Sequence, residues 1–211
     1  MPRQFDVPEE IIRQVLVKEL TPSAYSSYMK PIHEKHVIGV NAAFLIGNWI
    51  DMVFFGDKGW FLQNREQLAE FPGLKVSCHP SGEKFAAERI KCLPRNKKYG
   101  KGISPNPSSV CWNGNSGSAA ISVAANTGVK RIVLLGFDMM WDENLKQHWH
   151  GLYGTADRED KKKMKVTFDR HTSGFPMIAR DAKKRGITII NACPNSTIEE
   201  FERMSVKEAL K

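Results

Sequence analysis

The chain has 211 residues, 41% of them hydrophobic and 26% charged, with a formal net charge of +8. That composition excludes global disorder, the length suits one domain with a sizeable core, and the positive balance favours anionic partners. No apolar run approaches the roughly 18–20 residues needed to span a bilayer, and the start Met1-Pro2-Arg3-Gln4-Phe5-Asp6 has no apolar signal region, so a cytoplasmic protein without a transmembrane segment is predicted.

Residues 1–30 read as a helical leader. Pro8 suits a first helical turn, and Ile11, Ile12, Val15, Leu16 and Leu20 share one face of a helix over 8–20. From 31 to 211 the pattern predicts a single Rossmann-like α/β domain with a mainly parallel sheet and helices on both faces. Val37–Val40 and Met52–Phe55 are short apolar runs of the kind buried on two faces, ending at Asn41 and at Gly56-Asp57. Gln63–Ala69 reads as a short helix and Leu74–Cys78 as a weaker strand, with Phe71-Pro72-Gly73 turning between them. Gly100–Ser109 reads as loop. Ser116–Thr127 is a helix of small residues with Ala119, Ala120, Val123 and Ala124 on one face, and Gly128 closes it. Arg131–Leu135 is the next strand, ending at Gly136-Phe137-Asp138. A polar excursion occupies about 139–170; then a helix over Gly174–Arg185, a cap at Gly186 and a strand over Ile187–Ile190 lead into Asn191-Ala192-Cys193-Pro194. The four cysteines form no C-x-x-C pair and read as buried, reduced thiols.

In an open parallel sheet, ligands bind beyond the carboxyl ends of the strands. Asn41, Asp57, Asp138 and Asn191 all fall there. Gly114-Asn115-Ser116-Gly117 opens a helix, where free N–H groups and the helix dipole favour an anion; the plainer reading is an Asn or Ser cap after a turn. A dinucleotide fingerprint fits poorly, because the spacing is G-x-x-G-x-x-A and Ser108–Trp112 is a poor first strand. His148 and His150 flank Trp149 in the excursion. They could serve as acid/base groups, as metal ligands (the weaker option, since no Cys or carboxylate lies at a familiar ligand spacing) or as exposed histidines beside a packed Trp, and His171 is a separate candidate. H-E-x-x-H, a G-x-S-x-G elbow and a P-loop are absent from the sequence. Arg95–Lys101 and Lys161–Lys165 are basic clusters that read as solvated faces; the first, flanked by Gly and Pro, could instead hold phosphate or an acidic acceptor. No motif supports nucleic-acid binding.

The segment Asn115–Asp138 resembles the S-G…A…A…G-[FY]-K-x-I-x-L-x-G-x-D segment of a bacterial CMP-sialic-acid-dependent sialyltransferase family. Related segments occur in the motility-accessory-factor domain, in an archaeal pterin pyrophosphokinase and in short phage proteins described as morphogenetic (or norphogenetic). Val37–Ala43 with Asp51–Asp57 resembles the family's earlier strands. His148-Trp149-His150-Gly151 resembles the H-W-H-G of the phage members, and Ile189–Ser196 resembles the closing strand with its C-P-N-S. The resemblance covers about residues 37–200.

The resemblance implies a transferase that takes a sugar from a nucleotide-sugar donor, with a histidine as base and no metal. Carried over, Asn41, Asn115, Ser116 and Gly117 would contact nucleotide or sugar and Asp138 would close the pocket. Asp57, Gly114 and Asn195 complete the expected nucleotide-sugar site, and the catalytic candidates are His150, His148 and His171. No cofactor is implied beyond the donor; the acceptor and the oligomeric state are not read from the sequence. The first alternative is a pterin-type pyrophosphokinase using ATP and Mg²⁺, and the second is a non-catalytic phage assembly or binding protein on the same fold. Two departures stand out. Met139-Met140-Trp141 replaces an aromatic residue and then a tyrosine after the Asp, and the family's first strand with its G-x-G-P-S-L turn has no counterpart before Val37. The second departure implies a shortened fold, a fragment of a longer gene product, or a binding protein that has lost catalysis.

Overall fold

In β2 (Met52–Phe55) successive side chains enter different cores: Val53 and Phe55 join one buried cluster and Phe54 another. That alternation explains why the strand is apolar throughout, since a parallel sheet covered on both faces has no solvent side. The structure, a computed structural model, describes residues 31–81, 85, 88–140 and 161–211, without the side chains of 161–165. The predicted leader helix and the His148–Gly151 motif lie outside the described residues.

β2 sits between β1 (Ile38–Val40) and β3 (Leu74–Ser77), and β4 (Lys91–Cys92) completes a four-stranded sheet in the order β1-β2-β3-β4. A three-stranded sheet follows in the order β5-β6-β7, from β5 (Arg131–Leu134), β6 (Thr188–Asn191) and β7 (Glu202–Arg203). Every pairing is parallel, from Ile38 opposite Met52 to Ile190 opposite Glu202. The fold is therefore α/β and Rossmann-like, as expected from the alternation of apolar runs and helical segments. Among the described residues no helix is long and apolar enough to cross a membrane.

A 3-10 helix (Asn41–Ile46) follows β1, and helix α1 (Lys58–Glu70) links β2 to β3. Trp60, Phe61 and Leu68 of α1 pack with Phe44, Phe55 and Phe71 on one face of the first sheet. A fully buried Phe of this kind contributes about 1.5–3 kcal/mol relative to exposure. α1 begins earlier than the expected Gln63 because Asp57 caps it, its carboxylate accepting from the Trp60 amide at 2.8 Å.

Helix α2 (Ser116–Asn126) is central. Ala119, Ala120 and Val123 pack on Phe54 and Val76 of the first sheet, while Ile121 and Ala125 pack on Leu134 and Ile189 of the second. Burial is thus not confined to one face, as the sequence pattern suggested. Small residues let α2 fit against both sheets, and its serines find partners inside: Ser122 Oγ accepts from the Ser104 amide at 3.1 Å. Helix α3 (Lys161–Thr172) occupies part of the expected polar excursion. Helix α4 (Phe175–Lys184) buries Phe175, Ile178 and Ala182 against the second sheet, and the short helix α5 (Val206–Ala209) joins Val133 and Ile190 on its other face. The four cysteines are free, and three of them are buried.

Candidate functional site

Parallel pairing puts the carboxyl ends of all strands of a sheet on one edge, and α2 begins beside those edges. Its first residues touch what surrounds them in turn. Ser116 Oγ accepts from the Gly56 amide at 3.2 Å, tying α2 to the end of β2. Gly117 lies against the Phe137 ring, just past β5. Asn115 caps the helix, its Oδ1 accepting from the Ser118 amide at 2.8 Å, and its Nδ2 donates to the His171 carbonyl at 2.8 Å. Gly114, with φ +96°, faces the Arg170 carbonyl closely enough that any Cβ would collide with it. The last turn of α3 is thereby seated on the first turn of α2.

Behind this turn stands Asn113, buried and also at positive φ. Its Oδ1 accepts from the Gly102 amide at 2.6 Å, and its Nδ2 donates to the Gly102 and Cys111 carbonyls at 2.9 and 3.1 Å. Nothing in its spacing marks Asn113 in the sequence; its role is visible only once the 100–102 loop folds back on it.

The second sheet supplies the other wall. Ser196 Oγ donates to the Phe137 carbonyl at 2.6 Å, and the Thr197 amide donates to the Asp138 carbonyl at 2.9 Å. These bonds hold the loop carrying Asn195, itself exposed, beside Asp138. Asp138 is an exposed residue, yet its carboxyl is crowded enough that partial desolvation raises its pKa above the ordinary value. Cys193 Sγ accepts from the Phe137 amide at 2.9 Å, and burial pushes the Cys193 thiol up to about 11. It stays a protonated packing residue.

His171 is half-buried in the last turn of α3. Burial first, and then the neighbouring Arg170 cation, lower its pKa from 6.5, so the ring is neutral at pH 7. The Arg170 Nη2 lies 3.3 Å from His171 Nε2, and the Phe168 ring meets the imidazole edge-on.

The expected site residues therefore gather in two grades. Gly114, Asn115, Ser116, Gly117 and His171 form one contact network, and Asp57, Asp138 and Asn195 stand next to residues bonded into it. Asn41, the first residue past β1, has φ 52°, and its Oδ1 is buried with no hydrogen-bond partner among the described residues; Asn191 Nδ2, at the end of β6, is in the same condition. Buried polar atoms left over at strand ends call for an explanation. Several other groups already have structural work: Asp57 and Asn115 cap helices, and Ser116 Oγ anchors Gly56. His150 and His148 lie outside the described residues. Among the described residues no three His, Cys, Asp or Glu side chains come together to hold a metal.

Compared with known proteins, the chain matches no family model, no curated protein and no solved structure. The functional reading thus rests on this geometry and on the motifs.

Proposed function

We propose that the carboxyl edge around the α2 N-terminus binds a nucleotide-linked sugar, and that the protein is a sialyltransferase-like glycosyltransferase. What supports this most is His171, a histidine kept neutral and joined through its own carbonyl to the Asn115 cap of α2. A neutral imidazole can accept the proton of an acceptor hydroxyl as that oxygen attacks the anomeric carbon. The bond from that carbon to the phosphate breaks as the new one forms, leaving negative charge on the nucleotide. The first-turn N–H groups of Ser116 and Gly117 are suited to receive that charge, with the basic Arg95–Lys101 loop adding to the field. In this reading Asn41, Asp138 and Asn195 contact donor or sugar, and His150 and His148 compete with His171 for the role of base.

The test is hydrolysis of a panel of CMP-, UDP- and GDP-sugars by the wild type and by His148→Ala, His150→Ala and His171→Ala. Loss of the general base lowers the rate by about 100-fold or more. A protein that hydrolyses no donor and is stabilised by no nucleotide is not a transferase of this kind. A second reading has its own support: Asp57 and Asn115 are spent on capping, which suits a binding or assembly module that keeps the fold without the chemistry. That module would bind without hydrolysis, whereas a stabilising response to ATP only with Mg²⁺ would favour a pyrophosphokinase.

A further inference from the structure

β1 is an edge of the first sheet and β5 an edge of the second, and no ladder joins the two among the described residues. One helix covers both strands. Ala119, Ala120 and Val123 of α2 pack with Ile38 and Val40 of β1, while Ile121 and Ala125 pack with Ile132 and Leu134 of β5. The gap between the sheets therefore runs beneath α2. Val53, Phe54 and Phe55 of β2 and Ile189 and Ile190 of β6 are buried, as strands covered on two faces require. Ile38, Val40, Ile132 and Val133, which flank the gap, are only half-buried.

The backbones of the two edges are turned to the gap as well. The Val37 carbonyl accepts from the Met52 amide, and the Lys130 and Leu134 carbonyls accept from the Thr188 and Ala192 amides. Bonding direction alternates along a strand, so Ile38 of β1 and Arg131 and Val133 of β5 point their N–H and C=O groups away from their own sheets. Two parallel edges of this kind are a template for one more parallel strand.

Residues 1–30 precede β1, and their sequence holds a single run of three consecutive aliphatic residues, Val15, Leu16 and Val17. A strand buried on both faces reads as such a run, and β1 is itself three residues long. The run also fits the apolar face of the helix expected over 8–20, because a short apolar stretch suits either form. The open edges favour the strand. Residues 18–37 leave 20 residues for the return to β1, and a parallel crossover needs about a dozen or more. The step from the gap to β1 runs in the same direction as the step from β2 to β3, so a right-handed crossover lies on the α1 face of the sheet. The end of that connection is found there: Ile32 is buried, and the His33 ring lies 4.5 Å from the Trp49 ring, which packs against the same cluster as α1.

We infer that residues 15–17 insert between β1 and β5 as a parallel strand and join the two sheets into one. The strand order then reverses at the inserted strand, and the residues after it reach the carboxyl edge beside the first turn of α2. The insertion does not depend on the transferase reading: a protein that hydrolyses no sugar donor still needs these edges paired.

The experiment is NMR of the ¹³C,¹⁵N-labelled full chain. Expected are extended-strand Cα shifts at 15–17, cross-strand NOEs from these residues to Ile38 and Val133, and amide exchange at Ile38 and Val133 as slow as in β2 and β6. Leu16→Asp puts a carboxylate into the apolar slot and speeds exchange at Ile38 and Val133 by about 100-fold or more. Ile11→Asp, on the apolar face of the expected helix but outside the run, changes it by less than about threefold. Should Leu16→Asp fail to fold, the wild-type NOEs decide alone. Helical shifts at 15–17, no NOEs to the two edges, NOEs found only between differently labelled copies, or an equal effect of Ile11→Asp overturns the inference.

Discussion

Replacing Gly114 by Ala probes the joint between α2 and α3 directly. At φ +96° an L-residue is strained by about 1–2 kcal/mol. The added Cβ would also collide with the Arg170 carbonyl, a backbone atom that cannot swing aside, so the last turn of α3 must shift at an overpacking cost of about 1–3 kcal/mol. The two add to about 3 kcal/mol. For a chain of this size that corresponds to a fall in Tm of about 6–12 °C. Two controls separate the contributions. Gly128→Ala has a similar φ of +88° but nothing within 4 Å of the new Cβ, so it carries the backbone strain alone. Gly100→Ala meets nothing within 4 Å and has no positive φ, and should be near neutral. Thermal and urea denaturation followed by circular dichroism give the ranking. If Gly114→Ala costs no more than Gly128→Ala, the seating of α3 on α2 is wrong.

Asn113→Ala strips the Gly102 amide and the Gly102 and Cys111 carbonyls of buried partners, and should cost about 3–5 kcal/mol in urea unfolding. A loss under about 1 kcal/mol would mean that water replaces the side chain there. His171 has a folded pKa below that of the unfolded chain, so the folded state binds fewer protons. Its contribution is complete above pH 6.5 and declines as the pH falls through 6.5 toward the folded value. His33 and His79 are lowered as well, so His171→Asn should make the acid-side decline in urea midpoint shallower without abolishing it. An unchanged slope would show that the imidazole is not desolvated. Asp138 carries the opposite sign, because a carboxyl with a raised pKa contributes fully below 3.8 and loses that stability as the pH climbs from 3.8 through its higher folded value. Asp138→Asn should therefore raise Tm at neutral pH; a lower Tm would mean that the carboxylate has a stabilising partner.

The strands that can be read from sequence are those buried on two faces. Val37–Val40, Met52–Phe55, Arg131–Leu135 and Ile187–Ile190 are apolar runs, and each contains the strand that forms or is shifted from it by about a residue, within the usual uncertainty of element ends. β4 and β7 are two-residue strands holding Lys91 and the pair Glu202-Arg203; nothing in their composition distinguishes them from loop. Their pairing is imposed by the neighbouring strand. α3 was hidden for a similar reason: its Lys-rich start carries no apolar stripe of the kind that marked the helix after it. That Gly114–Gly117, Asp57 and Asp138 stand where strands end and a helix begins was legible in the sequence. What their side chains do was not, since capping and ligand contact use the same residue types. The Arg95–Trp112 stack, the Gly56 crossing and the Asn113 hub join segments far apart in the chain, and no local pattern announces them.

The central claim is that a nucleotide ligand sits at the first turn of α2, between the ends of the two sheets. Amide NMR of the ¹⁵N-labelled chain, titrated with CMP, UDP, GDP and ATP, tests it most directly. The account predicts saturable shifts for at least one nucleotide, centred on Asn115–Gly117 and extending to Gly56, Phe137-Asp138 and Arg170-His171. Shifts centred elsewhere, or none with any nucleotide, would contradict it.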